Sequence, residues 1–216
     1  MQKVRKFLIY ADKADYQHRR QVSLRPQRYV IGIDEVGRGP LAGPVVVAGI
    51  KIRRQSADFL FGIKDSKKLI PKKREEWYDF LIHNQKIEFA VARIWPKTID
   101  RINITQAANR GAYMVYKKLA GGFNTHALLD GGLYLPKCIP SKTIIKGDEK
   151  IPVISAASII AKVTRDRIML RLHKKFPQYR FDANKGYATR LHRELLKTYS
   201  ISAVHRLSFC KKLSQW

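Results

Sequence analysis

Four carboxylates stand where solubility does not explain them. Asp34 and Glu35 close the apolar run Tyr29–Ile33, Asp130 closes His126–Leu129, and Asp148 follows Thr143–Lys146. A carboxylate at the end of a buried strand costs several kcal/mol unless a cation or several donors compensate it. No Cys or His accompanies the four, so the donor set is all oxygen and suits Mg²⁺ or Mn²⁺ rather than zinc. The chain carries 43 Lys plus Arg against 17 Asp plus Glu, a formal charge of +26, which calls for a polyanionic partner, nucleic acid before an anionic membrane. Clustered acids on a phosphate-rich partner imply two-metal phosphoryl transfer, in which one ion activates water, the other stabilises the leaving oxygen, and Asp34 is the candidate bridging acid. Taken singly, each acid reads as a loop residue in water; their recurrence at strand ends in one very basic chain favours a site.

The elements that must position these acids follow from apolar patterning. Strands are expected over 29–34, 44–53, 86–95, 126–130 and 143–146, and helices over 71–84, 104–119, 152–176 and 188–199. The short connection between the first two strands makes them antiparallel neighbours. Pro71 belongs in a first helical turn, with Trp77, Tyr78, Phe80, Leu81 and Ile82 on the packed face, and Pro96 stops the third strand. Asn103 or Thr105 can cap the 104–119 helix, which Gly121-Gly122 ends. The helix from Pro152 is the longest, and Ser155, Ala156, Ala157, Ser158 and Ala161 let it lie close to the sheet. Asp34, Glu35, Asp130 and Asp148 converge if the first, fourth and fifth strands adjoin.

Gly37-Arg38-Gly39 is not a dinucleotide fingerprint, because Ala42 stands where the third glycine belongs and Pro40 interrupts the helix start. Glycines flanking Arg38 allow the backbone to approach a sugar-phosphate chain, and a tight hairpin turn explains them equally well. Residues 1–28 read as a basic extension outside the core. The apolar run Phe7–Tyr10 is cut off by Asp12 and Lys13 below signal-peptide length, and nothing approaches the ~20 apolar residues of a membrane span. Cys138 and Cys210 form neither a metal-ligand spacing nor a disulfide framework, so a reducing cytoplasm is expected.

The run Asp34-Glu35-Val36-Gly37-Arg38-Gly39-Pro40-Leu41-Ala42-Gly43-Pro44-Val45 resembles type 2 ribonuclease H, the bacterial ribonuclease HII family. Matches continue in order through Lys64-Asp65-Ser66-Lys67-Lys68-Leu69, Leu129-Asp130-Gly131, Lys146-Gly147-Asp148, Ile154–Ile159, Ala161–Asp166, Asn184-Lys185-Gly186-Tyr187 with His192, and His205-Arg206-Leu207-Ser208-Phe209. The resemblance implies an α/β ribonuclease H-like fold, a mixed five-stranded sheet flanked by helices, with a catalytic domain over 29–185 and a helical substrate-gripping part over 186–216. It implies an endoribonuclease that cuts the RNA strand of RNA–DNA hybrids and incises 5′ of ribonucleotides embedded in DNA, leaving 3′-hydroxyl and 5′-phosphate ends. Asp34, Glu35, Asp130 and Asp148 are then the catalytic acids and ligands of two Mg²⁺ or Mn²⁺ ions. Gly37, Arg38 and Gly39 read the ribose 2′-hydroxyl, Tyr187 packs against the next deoxyribose, and Lys67 and Lys68 hold phosphates.

Ile70 and the second glycine after Asp130 depart from the family pattern without touching the acids. Asp166, in a helix beside Arg165 and Arg167, is expected to be a structural ion-pair acid, and His173 and His192 to sit on helix faces rather than act as bases. The tail Phe209–Trp216 lacks a clear sliding-clamp peptide, and a monomer is the default reading. A Holliday-junction resolvase or integrase-like transferase also uses clustered acids and Mg²⁺, but the glycine-arginine-glycine turn with Tyr187 argues against both. A type 3 ribonuclease H normally carries a large N-terminal platform, which residues 1–28 cannot form. A non-catalytic nucleic-acid binder accounts for the charge but not for four acids that repel phosphate.

Overall fold

The computed structural model describes residues 28–60, 62–63, 69–121 and 124–211. The expected phosphate-holding Lys67 and Lys68, nearly all of the basic extension and the last five residues lie outside the described residues. Five strands form one mixed sheet: β1 (Tyr29–Val36), β2 (Val45–Arg53), β3 (Glu88–Ile94), β4 (Thr125–Asp130) and β5 (Ser141–Ile144). Their order is β3-β2-β1-β4-β5, with β1–β2 and β2–β3 antiparallel and β1–β4 and β4–β5 parallel. The expected hairpin of the first two strands and the adjacency of the first, fourth and fifth are both present.

Among the described residues there are eight α-helices: α1 (Pro71–His83), α2 (Pro96–Ile102), α3 (Ile104–Ala120), α4 (Gly147–Lys150), α5 (Pro152–Lys175), α6 (Phe181–Asn184), α7 (Arg190–Tyr199) and α8 (Leu207–Cys210). Of the two proposed caps, Asn103 takes the role: its side chain accepts from the Gln106 N–H, and Gly121 closes α3 in the left-handed conformation. In α1, Leu81 is buried, but Phe80 is exposed, touching the rings of Phe59 and Trp77 rather than entering the core. Pro96 does more than stop β3. It occupies the first turn of α2, where its missing N–H costs nothing.

Successive residues of β1 face opposite sides, so Val30 joins the core beneath α5, while Ile31 and Ile33 pack with Ala108, Ala112 and Val115 of α3. Close approach on the first face depends on Gly32, where any Cβ would collide with the Val153 carbonyl of α5. The sheet is thereby sandwiched between two helices, and its strand ends are fixed in place. The chain then returns to the front of the sheet: Ala42 bridges His205, and the Gly43 N–H donates to the Val204 carbonyl at 2.8 Å. The tail that patterning left unplaced thus runs across the loop after β1 before forming α8.

Candidate active site

Pairing of β1 with β4 ends at Ile33–Leu129, whereas β1 stays paired with β2 as far as Val36. Asp34 and Glu35 lie in the last three residues of β1, as expected, beside the gap where the two parallel strands part, and Asp130 is the last residue of β4. There one oxygen each of Asp34, Glu35 and Asp130 lies within 4.8 Å of the others. Asp34 Oδ1 accepts from the Glu35 N–H at 2.7 Å, and Asp130 Oδ1 accepts from Gly147 N–H at 2.7 Å and Asp148 N–H at 3.3 Å.

Asp148 is buried, but it belongs to the four-residue helix α4 rather than to the end of β5, and it is not one of the three clustered acids. Its backbone N–H reaches the cluster through Asp130, and its carbonyl accepts from the Ser155 hydroxyl. The structure therefore brings three expected acids together and sets the fourth beside them.

Burial, followed by the charges of Glu35 and Asp130, pushes the Asp34 carboxyl well above the ordinary carboxylate range, against hydrogen bonds from Ser158 and Glu35. Burial also raises Glu35, with Arg38 opposing. Glu35 Oε2 is buried without a hydrogen-bond partner. Crowded, desolvated, all-oxygen donors with an orphaned lone pair fit a hard divalent cation.

The glycine turn is held from behind. Arg206 is fully buried, and its guanidinium donates to the carbonyls of Gly37 (2.6 Å), Arg38 (2.8 Å) and Gly43 (3.0 and 3.1 Å). Arg165, equally buried, donates to Pro44 and Ala42 carbonyls at 3.2 Å. Gly37, at φ +89°, lies so close to Arg165 that a Cβ would strike its Nε. The Arg38 side chain folds back to Glu35 Oε1 at 3.1 Å and to the Gly132 carbonyl at 3.2 Å. Gly39 instead faces open space, with nothing within 4 Å of an added Cβ. Gly39→Ala is expected to leave the melting temperature within about 2 °C, as a surface change does, which thermal unfolding checks.

Tyr187 reaches the same place from the far end of the chain. The Gly186 carbonyl, in a loop that Gly186 turns at φ +82°, accepts from Leu41 N–H at 2.8 Å and Ala42 N–H at 3.3 Å. The half-exposed Tyr187 ring lies 5.5 Å from the Arg165 guanidinium carbon. His192 lies on a helix, as expected, but on its buried face, bonded to the equally hidden His205. Asp166 is the expected ion-pair acid, bonded to Lys162 at 2.8 Å, one turn earlier. Arg165, Arg206 and His205 were not expected to carry roles; the signal that could have found them was their place inside the matched runs Ala161–Asp166 and His205–Phe209.

Compared with known proteins, the family model of ribonuclease HII matches residues 31–212. The chain belongs to the ribonuclease HII family. As a member it is a ribonuclease H-type endoribonuclease, a hydrolase of RNA in RNA–DNA hybrids, and its family depends on metal. It is 45% identical over 181 residues to a ribonuclease HII of Bacillus cytotoxicus, covering 84% of this chain and 68% of that one. It is 41% identical over 206 residues to a ribonuclease HII of Chlamydia trachomatis serovar L2, covering 95% and 92%. The crystal structure of ribonuclease H2 from Pyrococcus horikoshii superposes with a TM-score of 0.70 at 28% identity, over 87% of this chain and 97% of that one. Among the described residues no helix is long and apolar enough to cross a membrane.

Proposed function

We propose that this ribonuclease HII cuts RNA–DNA hybrids and also incises on the 5′ side of single ribonucleotides in duplex DNA, leaving 3′-hydroxyl and 5′-phosphate ends. The observation that carries the reading is the adjacency of three elements: the Asp34–Glu35–Asp130 cluster, the Gly37–Gly39 turn joined to it through Arg38, and the Tyr187 loop joined through Gly186 to Leu41 and Ala42, which follow that turn. Asp34, Glu35 and Asp130, with Asp148 beside them, hold two ions, Mg²⁺ or Mn²⁺. When bound, such ions activate the attacking water and neutralise charge on the transferring phosphoryl group and leaving oxygen.

The chain's own residues supply position. The main chain of Gly37, Arg38 and Gly39 contacts the ribose 2′-hydroxyl, the group by which RNA is told from DNA. The exposed face of Tyr187 packs on the following deoxyribose, where a second 2′-hydroxyl would collide, and so favours an RNA-to-DNA junction. Lys67 and Lys68 hold phosphates, residues 29–185 form the catalytic domain, and residues 186–216 grip the duplex. The enzyme works as a cytoplasmic monomer, and the basic surface makes binding weaken steeply with salt.

A labelled DNA duplex with one ribonucleotide, incubated with Mg²⁺, Mn²⁺ or chelator and mapped to the nucleotide, tests the reading. Metal-dependent incision on the 5′ side of the ribonucleotide is expected. Survival of that duplex while a long RNA–DNA hybrid is cut would remove the roles given to Gly37, Arg38, Gly39 and Tyr187 and leave the metal site standing.

A further inference from the structure

His192 and His205 take no part in the chemistry above, yet they are wired to it. His205 Nδ1 accepts from the Ser202 N–H at 3.0 Å, with the Ser202 hydroxyl at 2.9 Å from the same atom. In the neutral ring the proton is therefore on Nε2. That nitrogen is 3.2 Å from His192 Nε2, which must accept, so the His192 proton is on Nδ1, 2.8 Å from the Tyr187 carbonyl. Donation runs one way, from Ser202 through both rings to the main chain of Tyr187.

Burial favours the neutral rings, lowering the pKa of His192 and, with His192 as a second cause, that of His205 to about 4. Around them lie the rings of Tyr179 and Phe181. The Tyr187 carbonyl also accepts from the Thr189 N–H at 2.8 Å, and the Tyr187 N–H donates to Asn184 at 2.9 Å. One residue earlier, Gly186 is tied to Leu41 and Ala42. The Tyr187 backbone is thus fixed on one side by the glycine-turn loop and on the other by the imidazole pair. A fully bonded buried polar pair has one geometry, whereas apolar packing tolerates several.

We propose that the His192–His205 pair is a positioning device that sets the Tyr187 ring against the Gly37–Gly39 turn and so sets the preference for an RNA-to-DNA junction over continuous RNA. The proposal rests on the junction role given to Tyr187 above.

The test compares kcat/KM on the single-ribonucleotide duplex and on a long hybrid, both with Mg²⁺. His192→Leu removes the bond to Tyr187 and is expected to lower the first by about tenfold or more and the second by less than about threefold. His192→Asn places an amide nitrogen where Nδ1 stood but leaves nothing to accept from His205, so it is expected to fall between the original and His192→Leu on the first substrate and to stay within about threefold of the original on the second. A second pair covers failure of His192→Leu to fold: His205→Gln keeps a donor toward His192 and the preference, whereas His205→Asn keeps only the Ser202 contact and loses it. Independently, ¹⁵N NMR of the histidine rings at pH 7 is expected to show His192 protonated on Nδ1 alone and His205 on Nε2 alone. Equal losses on both substrates in His192→Leu and His205→Asn, His192→Asn as impaired as His192→Leu, or a doubly protonated ring at pH 7 would overturn the proposal. Failure of the underlying reading looks different: Tyr187→Ala would then lower both substrates equally.

Discussion

Asp34→Asn abolishes cleavage, by about a thousandfold or more, and raises the melting temperature of the metal-free protein. The activity loss follows from the ligand role proposed for Asp34; losing several kcal/mol of charge stabilisation in the transition state costs tenfold for each ~1.4 kcal/mol. The stability gain follows from the direction of the Asp34 shift. Burial and the charges of Glu35 and Asp130 raise its folded pKa above the unfolded value of 3.8, so the native protein binds more protons than the unfolded chain between those two values. Metal-free stability therefore falls as pH rises through that window and stays reduced above it. Asparagine removes the charge while its amide oxygen still accepts from the Glu35 N–H. At neutral pH in chelator the melting temperature is expected to rise by about 2–4 °C for each kcal/mol relieved. Mg²⁺ should stabilise the original protein in proportion to the logarithm of its concentration, by about 2.7 kcal/mol at a hundred times Kd, and the variant far less. Thermal unfolding with and without metal decides this; a variant less stable than the original in chelator at neutral pH would show that the cluster is not under electrostatic strain.

Arg206→Ala has the second large effect, and here stability and activity fall together. Truncation leaves the carbonyls of Gly37, Arg38 and Gly43 without the guanidinium that holds them. Breaking a buried charged network of this kind costs about 3–5 kcal/mol, which lowers the melting temperature by roughly 6–20 °C. Burial and neighbouring Arg165 lower the Arg206 pKa to about 9, so the group is charged at pH 7 and the carbonyls compensate a real cation. Arg206→Lys should not rescue, because one ammonium cannot reproduce a planar fork bonded to three carbonyls. Protein that remains folded below its lowered melting temperature should still bind Mg²⁺ but cleave slowly. A lysine variant with the original melting temperature and activity would refute the clamp.

The acids, the glycine turn and the strands were legible because each breaks or obeys a local rule: carboxylates closing apolar runs, glycines flanking an arginine, β-branched residues in short blocks. Helix α2 was missed because Pro96 ends one element and begins the next, and patterning registers the ending more strongly. Asp148 was assigned to a strand end because four residues of helix are too short to show a period. Arg165, Arg206, His192 and His205 were illegible for another reason. Hydropathy reads arginine and histidine as surface, and only the folded chain reveals carbonyls and a second imidazole waiting for them. Acids that crowd together at strand ends announce themselves in sequence; the side chains that brace the glycine turn do so only in three dimensions.

The residue that clamps the glycine turn comes in sequence after all five strands of the sheet, and this has a consequence for synthesis. Chains emerge from the ribosome amino end first. A nascent or prematurely terminated chain ending before Val204 can already contain all five strands and Asp34, Glu35, Asp130 and Asp148, yet it lacks the Val204–Arg206 segment that closes over the turn. The turn is therefore braced only once the Val204–Arg206 segment has been made, and translation products that stop short of it carry the acids with the turn unclamped.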